Sequence, residues 1–147
     1  MPPAARALST LPRVDYEDAS ILETGPARDR TAEQWARAAL EDAPATTRRA
    51  LRWGWFGLGL QLGSTRDDRR VLGWEIRRSS PDFVLLGARS PLGLEGEVLC
   101  KRRQRTLLVA TFVQLKNPVA RAVWAGTAPG HRRVVRHLLE QLNRESR

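Results

Sequence analysis

The stretch from Asn117 to Arg147 must lie on a hydrophobic surface. Asn117 offers a side-chain oxygen to cap a helix. Pro118 falls at the first helical position, where the N–H it lacks would have no partner in any case. His131, Val134, Val135, Leu138 and Leu142 then recur at helical spacing and make one apolar stripe, while Arg132, Arg133, Arg136 and Glu140 fall largely on the other side. Such a helix draws most of its stability from packing its stripe against something else, so the rest of the chain has to supply an apolar face.

That face is written between residues 71 and 116, where the hydrophobic period changes from helical to two. Val71 to Ser79 and Asp82 to Ser90 read as strands joined at Ser80-Pro81. Leu94 to Arg102 and Arg105 to Lys116 read as a second pair, with turns at Pro91 and Gly93 and at Arg103-Gln104. A two-residue loop at Ser80-Pro81 puts Leu72, Trp74, Ile76, Phe83 and Leu85 on one face and Glu75, Arg77, Val84 and Leu86 on the other. The second pair places Leu94, Val98, Cys100, Leu107, Val109, Thr111 and Val113 together, opposite Glu95, Glu97, Lys101, Leu108 and Phe112. The product is an antiparallel meander with one predominantly apolar face for the helix and a charged outer face in solvent.

Ahead of the meander, residues 1–12 read as a flexible tail and residues 13–147 as a single domain. Val14 to Thr24 holds a first strand, strongest over Ala19 to Glu23, and Gly25, Pro26 and Asp29 mark a loop. Thr31-Ala32-Glu33-Gln34 matches a capping box, so a helix begins near Ala32 and turns Trp35, Ala38 and Ala39 inward. Asp42-Ala43-Pro44 ends it and starts another, on which Leu51, Trp55 and Leu58 share a face and Gly54, Gly57 and Gly59 weaken the C-terminal end. Ser64 to Arg70 reads as a polar loop. The expected class is α+β: a curved antiparallel sheet wrapped against a long C-terminal helix, with two short helices after the first strand.

Several function classes are disfavoured. No apolar run reaches the roughly 18 residues of a membrane span, and the N-terminus, MPPAARALSTLPR, lacks the apolar centre of a signal peptide. With a single Cys100 and no internal disulfide, a cytoplasmic location is the expectation. The net charge of +9 comes almost wholly from Arg scattered over several segments, alongside abundant Ala, Gly and Leu. This reads as composition rather than a polyanion site, and no specific nucleic-acid partner is expected. Gly57 to Gly63 lacks GxGxxG spacing and follows a helix, which removes the dinucleotide reading. Two His and one Cys form no ligand cluster, and neither a GxSxG elbow nor a P-loop occurs, so no metal or cofactor is expected.

The order of elements resembles the helix-grip fold of the START-like superfamily, also called SRPBCC, which includes polyketide cyclases and pollen-allergen-like proteins. More narrowly, the chain resembles an uncharacterised bacterial branch of that group. The resemblance rests on Glu33-Gln34-Trp35, Leu72-Gly73-Trp74, Thr111-Phe112-Val113, and Trp124 followed by Pro129-Gly130-His131-Arg132, and spans about Leu11 to Leu142. It implies a hydrophobic pocket between sheet and helix for a small lipid- or polyketide-like molecule.

On that footing the candidate ligand-binding residues are His131, Thr111, Trp74, Cys100, Val98, Val109, Val135 and Leu138. His131 stands on the apolar stripe, where a neutral imidazole can bond a ligand oxygen or act as acid or base. It can equally be a core histidine satisfied by its neighbours. Thr111 and Cys100 are small polar members of the inward set, able to orient a ligand or simply to fill space. Trp53, Trp55 and Trp74 can line a pocket or pack a core, and the phenol of Tyr16 can reach a cavity mouth. Three functions stay open: a module binding a small hydrophobic molecule, a cyclase- or aromatase-type enzyme using His131 in the same pocket, and a protein with a filled cavity that dimerises through an outer face carrying Val84, Leu86, Leu108 and Phe112.

Overall fold

A computed structural model describes residues 3–23, 30–63, 69–103 and 105–145. The loops expected at Gly25 to Asp29 and over residues 64–68, and the turn residue Gln104, lie outside the described residues. In chain order the elements are α1 (Pro3–Arg6), β1 (Tyr16–Glu23), α2 (Ala32–Leu40), α3 (Ala45–Gly57), β2 (Arg70–Val71), β3 (Trp74–Ser79), β4 (Phe83–Ser90), β5 (Leu94–Arg102), β6 (Thr106–Leu115) and α4 (Pro118–Glu145). The six strands form one antiparallel sheet in the order β1-β6-β5-β4-β3-β2, so the first strand lies beside the last. The fold is the expected α+β one, a curved sheet with the long C-terminal helix on its inner face.

The start signals act as written. Thr31 accepts from the backbone N–H of Gln34, whose side chain accepts from that of Thr31, completing the capping box. Asn117 Oδ1 accepts from the N–H of Ala120 at 2.8 Å, and its Nδ2 donates to the carbonyl of Leu92 at 3.0 Å. The second bond ties the start of α4 to the β4–β5 turn. Gly93 makes room for it: the residue has φ +98°, and a Cβ there would lie 2.1 Å from Asn117 Nδ2.

Two features of the sheet depart from the expectation. The run Val71 to Ser79 is not one strand. The chain folds back at Leu72 and Gly73, with φ of 48° and 93°, so that Val71 on β2 pairs with Trp74 on β3. That short edge strand is the sixth of the sheet. The second departure is a β-bulge between Ile76 and Arg78. Ile76 pairs with Leu86 and Arg78 with Leu85, leaving Arg77 as an extra residue on β3. One inserted residue inverts the parity of everything after it. Val84 and Leu86 therefore pack inward with Trp74 and Ile76, whereas Leu85 and Phe83 belong to the outer face. The faces of β5 and β6 are as expected.

The outer face is not a solvated surface. Residues 3–12, expected to be a flexible tail, pack across it. Ala5, Leu8, Leu11 and Val14 cover Leu85, Leu99, Leu108, Ala110 and Phe112, which are buried. The cause lies in the strands, whose outer positions carry too many large apolar groups to be left in water. This removes the proposed dimer surface, since Leu108 and Phe112 are covered within the chain and Val84 and Leu86 belong to the inner core.

Glu95 and Glu97 do point away from α4, but Glu97 is fully buried. It accepts hydrogen bonds from the hydroxyls of Ser9 and Thr10 and from the Thr10 N–H. Arg77 binds both carboxylates, at 3.0 Å to Glu97 and 2.7 Å to Glu95. Its guanidinium crosses β4 where that strand has Gly87; a Cβ there would lie 2.0 Å from Arg77 Nε. Burial works against the Arg77 charge, but the bonds from Glu97 and Glu95 outweigh it and raise its pKa. The bulge, the glycine and the carboxylates are thus one device, and it holds the N-terminal segment in place.

Candidate functional site

Helix α4 is anchored at two separate places. Near its start, Ala120, Trp124 and Ala128 pack with Leu58, Leu94, Val113 and Leu115. Near its end, Leu139 and Leu142 join a larger cluster containing Trp35, Trp74, Leu86, Cys100, Leu107 and Val109, while Leu138 packs with Leu51 and Leu72 from the α3 side. A domain of this size commonly has one contiguous core. Here the inner core is divided, and between its parts lies a cavity of about 420 Å³.

All eight candidate ligand-binding residues line this cavity: Trp74, Val98, Cys100, Val109, Thr111, His131, Val135 and Leu138. Alternation along β5 and β6 accounts for four of them, and helical spacing for three. The lining is overwhelmingly apolar. Val134, placed on the stripe from its spacing, sits at the rim and is partly exposed. Trp53 neither lines the cavity nor fills the core. It projects into solvent, because the buried face of α3 is the one carrying Leu51 and Trp55.

His131 stands where the cavity turns polar. Its Nε2 lies 3.0 Å from Thr111 Oγ1, and the threonine hydroxyl can complete this bond with either tautomer of the ring. Asp18 Oδ2 is 3.7 Å from the same nitrogen and accepts from the Tyr16 hydroxyl at 2.7 Å. Arg132 donates to that hydroxyl at 3.2 Å. Burial lowers the His131 pKa, with Asp18 pulling upward and Arg132 adding to the decrease, so the ring is neutral at neutral pH. Burial and the Asp18 bond hold the Tyr16 phenol above its ordinary value. Tyr16 and Asp18 stand behind the ring; neither lines the cavity.

Two tryptophans of the lining carry polar atoms that are buried away from the open space. Trp74 and Trp124 both line the cavity, and each carries a buried Nε1 with no hydrogen-bond partner among the described residues. Trp124 also packs against the rings of Tyr16 and His131, at centroid distances of 5.0 and 5.4 Å. Cys100 is enclosed, and burial pushes its thiol pKa up to about 12, which rules out a thiolate nucleophile at neutral pH.

Asp18 and Trp124 are the neighbours of His131 that sequence reasoning did not single out for the candidate site. The β1 signal is strongest from Ala19, yet the strand starts at Tyr16, and alternation from there puts Tyr16, Asp18, Ser20 and Leu22 opposite inward residues of β6. Trp124 lies about two turns before the stripe that begins at His131. Extending the helical period backwards through Ala128 would have found it.

Residues that line the cavity and are also exposed mark its opening, and three of them are glycines. Gly54 on α3 and Gly126 and Gly130 on α4 all border it, and a Cβ on any of the three would meet nothing within 4 Å. Among the described residues no helix is long and apolar enough to cross a membrane. No family model matches the chain, and comparison with curated proteins and with solved structures gives no match.

Proposed function

We propose that the protein binds a small hydrophobic molecule bearing at least one oxygen, lipid- or polyketide-like, in the cavity between sheet and α4. The observation that carries this reading is the cavity's make-up: about 420 Å³, with walls that are mostly apolar and a few polar side chains among them, His131 and Thr111 bonded to each other. Small-molecule sites typically enclose roughly 300–1,000 Å³ and combine apolar walls with a few polar groups that fix orientation. The neutral imidazole and the threonine hydroxyl are suited to a carbonyl or hydroxyl, and among the described residues no Lys or Arg joins the lining, which disfavours a ligand whose recognition depends on a buried anion. The resemblance to START-like proteins points the same way.

The test is a fluorescence titration with a dansyl-labelled long-chain fatty alcohol. Saturable uptake of one probe per chain is expected, weakened at least about tenfold by Val109→Trp, which fills the cavity from β6. Absence of saturable uptake by the folded parent chain would refute the reading.

A cyclase- or aromatase-type activity in the same pocket is the second reading, favoured by the Asp18 carboxylate behind a neutral His131. A carboxylate there stabilises an imidazolium formed during proton abstraction. Asp18→Asn should then abolish turnover of a poly-β-ketone while leaving probe binding intact; turnover unaffected by this change would remove the role.

A further inference from the structure

The solvent side of α3 has an unusual composition. The helix contains no acidic residue, and Arg49, Arg52, Trp53 and Phe56, at spacings of three, one and three, form a single stripe. All four are exposed. Trp53 and Phe56 are the two most exposed large hydrophobic side chains among the described residues, at 72% and 74%. Their rings meet edge to face, 6.0 Å apart at 84°, and present a joint apolar ridge flanked by guanidinium groups. Nothing inside the fold needs these rings, because the opposite side of the helix already packs through Leu51 and Trp55.

We propose that this face of α3 docks the protein onto the surface of an anionic lipid bilayer. Aromatic side chains partition into the headgroup region, where an apolar ring and a polar edge are both accommodated, and adjacent Arg residues are drawn to acidic lipids. A helix with basic residues and large aromatics on one exposed face, lying in the plane of the interface, meets both conditions.

Other occupants fit less well. Two aromatic side chains cover roughly 150–250 Å² each, well short of the roughly 800 Å² per partner of a stable protein interface, and a symmetric copy would bring like charges together. For nucleic acid, successive bases need open ring faces, whereas Trp53 and Phe56 turn edge to face on each other.

The placement also gives docking a purpose, one that rests on the proposed hydrophobic ligand. Gly54 lies next to Trp53 in sequence and borders the cavity, as do Gly126 and Gly130. A protein held to the bilayer by Trp53 and Phe56 would present the glycine-lined opening close to the lipid. An apolar molecule could then pass between membrane and cavity with little exposure to water.

The experiment is co-sedimentation of the full chain with vesicles of phosphatidylcholine alone or with about 30% phosphatidylserine, in low salt. Binding to the serine-containing vesicles is expected to be at least tenfold tighter than to the neutral ones. Trp53→Ala/Phe56→Ala and Arg49→Glu/Arg52→Glu should each reduce it at least tenfold without moving the thermal midpoint, since all four side chains are in solvent. Val109→Trp, which fills the cavity, should leave vesicle binding unchanged, so a failed ligand and a failed docking surface are told apart. The proposal is overturned if the parent chain does not bind acidic vesicles, or if Trp53→Ala/Phe56→Ala leaves binding unaltered. It is also overturned if the aromatic pair instead supports a concentration-dependent dimer or single-stranded DNA binding at physiological salt.

Discussion

His131 and Thr111 are joined across the sheet–helix interface, with Nε2 of the ring 3.0 Å from the threonine Oγ1. The bond fastens the middle of α4 to β6, between the two apolar anchors of the helix. Thr111→Val keeps the shape and removes the partner. An unmatched buried polar group costs about 1–3 kcal/mol, and urea denaturation should show a loss of that size. The double variant Thr111→Val/His131→Leu should recover part of it, because both polar groups are then gone. Full stability in Thr111→Val alone would mean the bond contributes nothing.

Stability should fall on mild acidification. Burial lowers the folded-state pKa of His131 below its ordinary 6.5, so between the two values the unfolded chain binds more protons than the folded one. The contribution is fully present above pH 6.5 and is lost as pH falls through the lowered folded value. Denaturation midpoints measured between about pH 7.5 and pH 5 should decline in the parent and decline less in His131→Leu. Identical profiles would contradict the assignment.

On the outer face, Glu97 and Arg77 form a buried ion pair that also clamps Ser9 and Thr10. Breaking such a pair costs about 3–5 kcal/mol, and Glu97→Ala should fall near the lower end because Glu95 still holds Arg77. Gly87→Ala should destabilise by displacing the same guanidinium. Removing residues 1–11 should bare Leu85 and Phe112, visible as binding of an apolar dye. A truncated chain with unchanged stability and no dye binding would show that the segment is only loosely held.

Cys100 should be silent toward a thiol reagent in the native protein. Its sulfur is enclosed and its pKa is held at about 12. Labelling by a disulfide reagent should follow global unfolding, rising with denaturant in step with loss of secondary structure. Rapid labelling without denaturant would show that the cavity admits the reagent.

The sequence made the helix-and-sheet plan legible because each element carried its own local signal. The Thr31 capping box, the Asn117-Pro118 start and the period-two runs of β5 and β6 are all contained within a few residues. The residues picked out for the candidate site line the cavity because alternation and helical spacing place side chains on faces. What escaped notice was non-local. The bulge at Arg77 inverted the faces of β4, and no residue near it announces a bulge; its reason lies across the sheet in Gly87 and Glu97. The covering of the outer face depends on Ser9 and Thr10 meeting a carboxylate 87 or 88 residues away. Asp18 became part of the polar corner only through the pairing of β1 with β6.

The central claim is that the divided core holds a hydrophobic guest. The most direct measurement is native mass spectrometry of the chain purified from cells without detergent, alongside Val109→Trp handled identically. The account predicts a discrete adduct of one small molecule on the parent, released on unfolding and absent from the variant. Bare parent chain that also fails to take up an added dansyl-labelled fatty alcohol would contradict it.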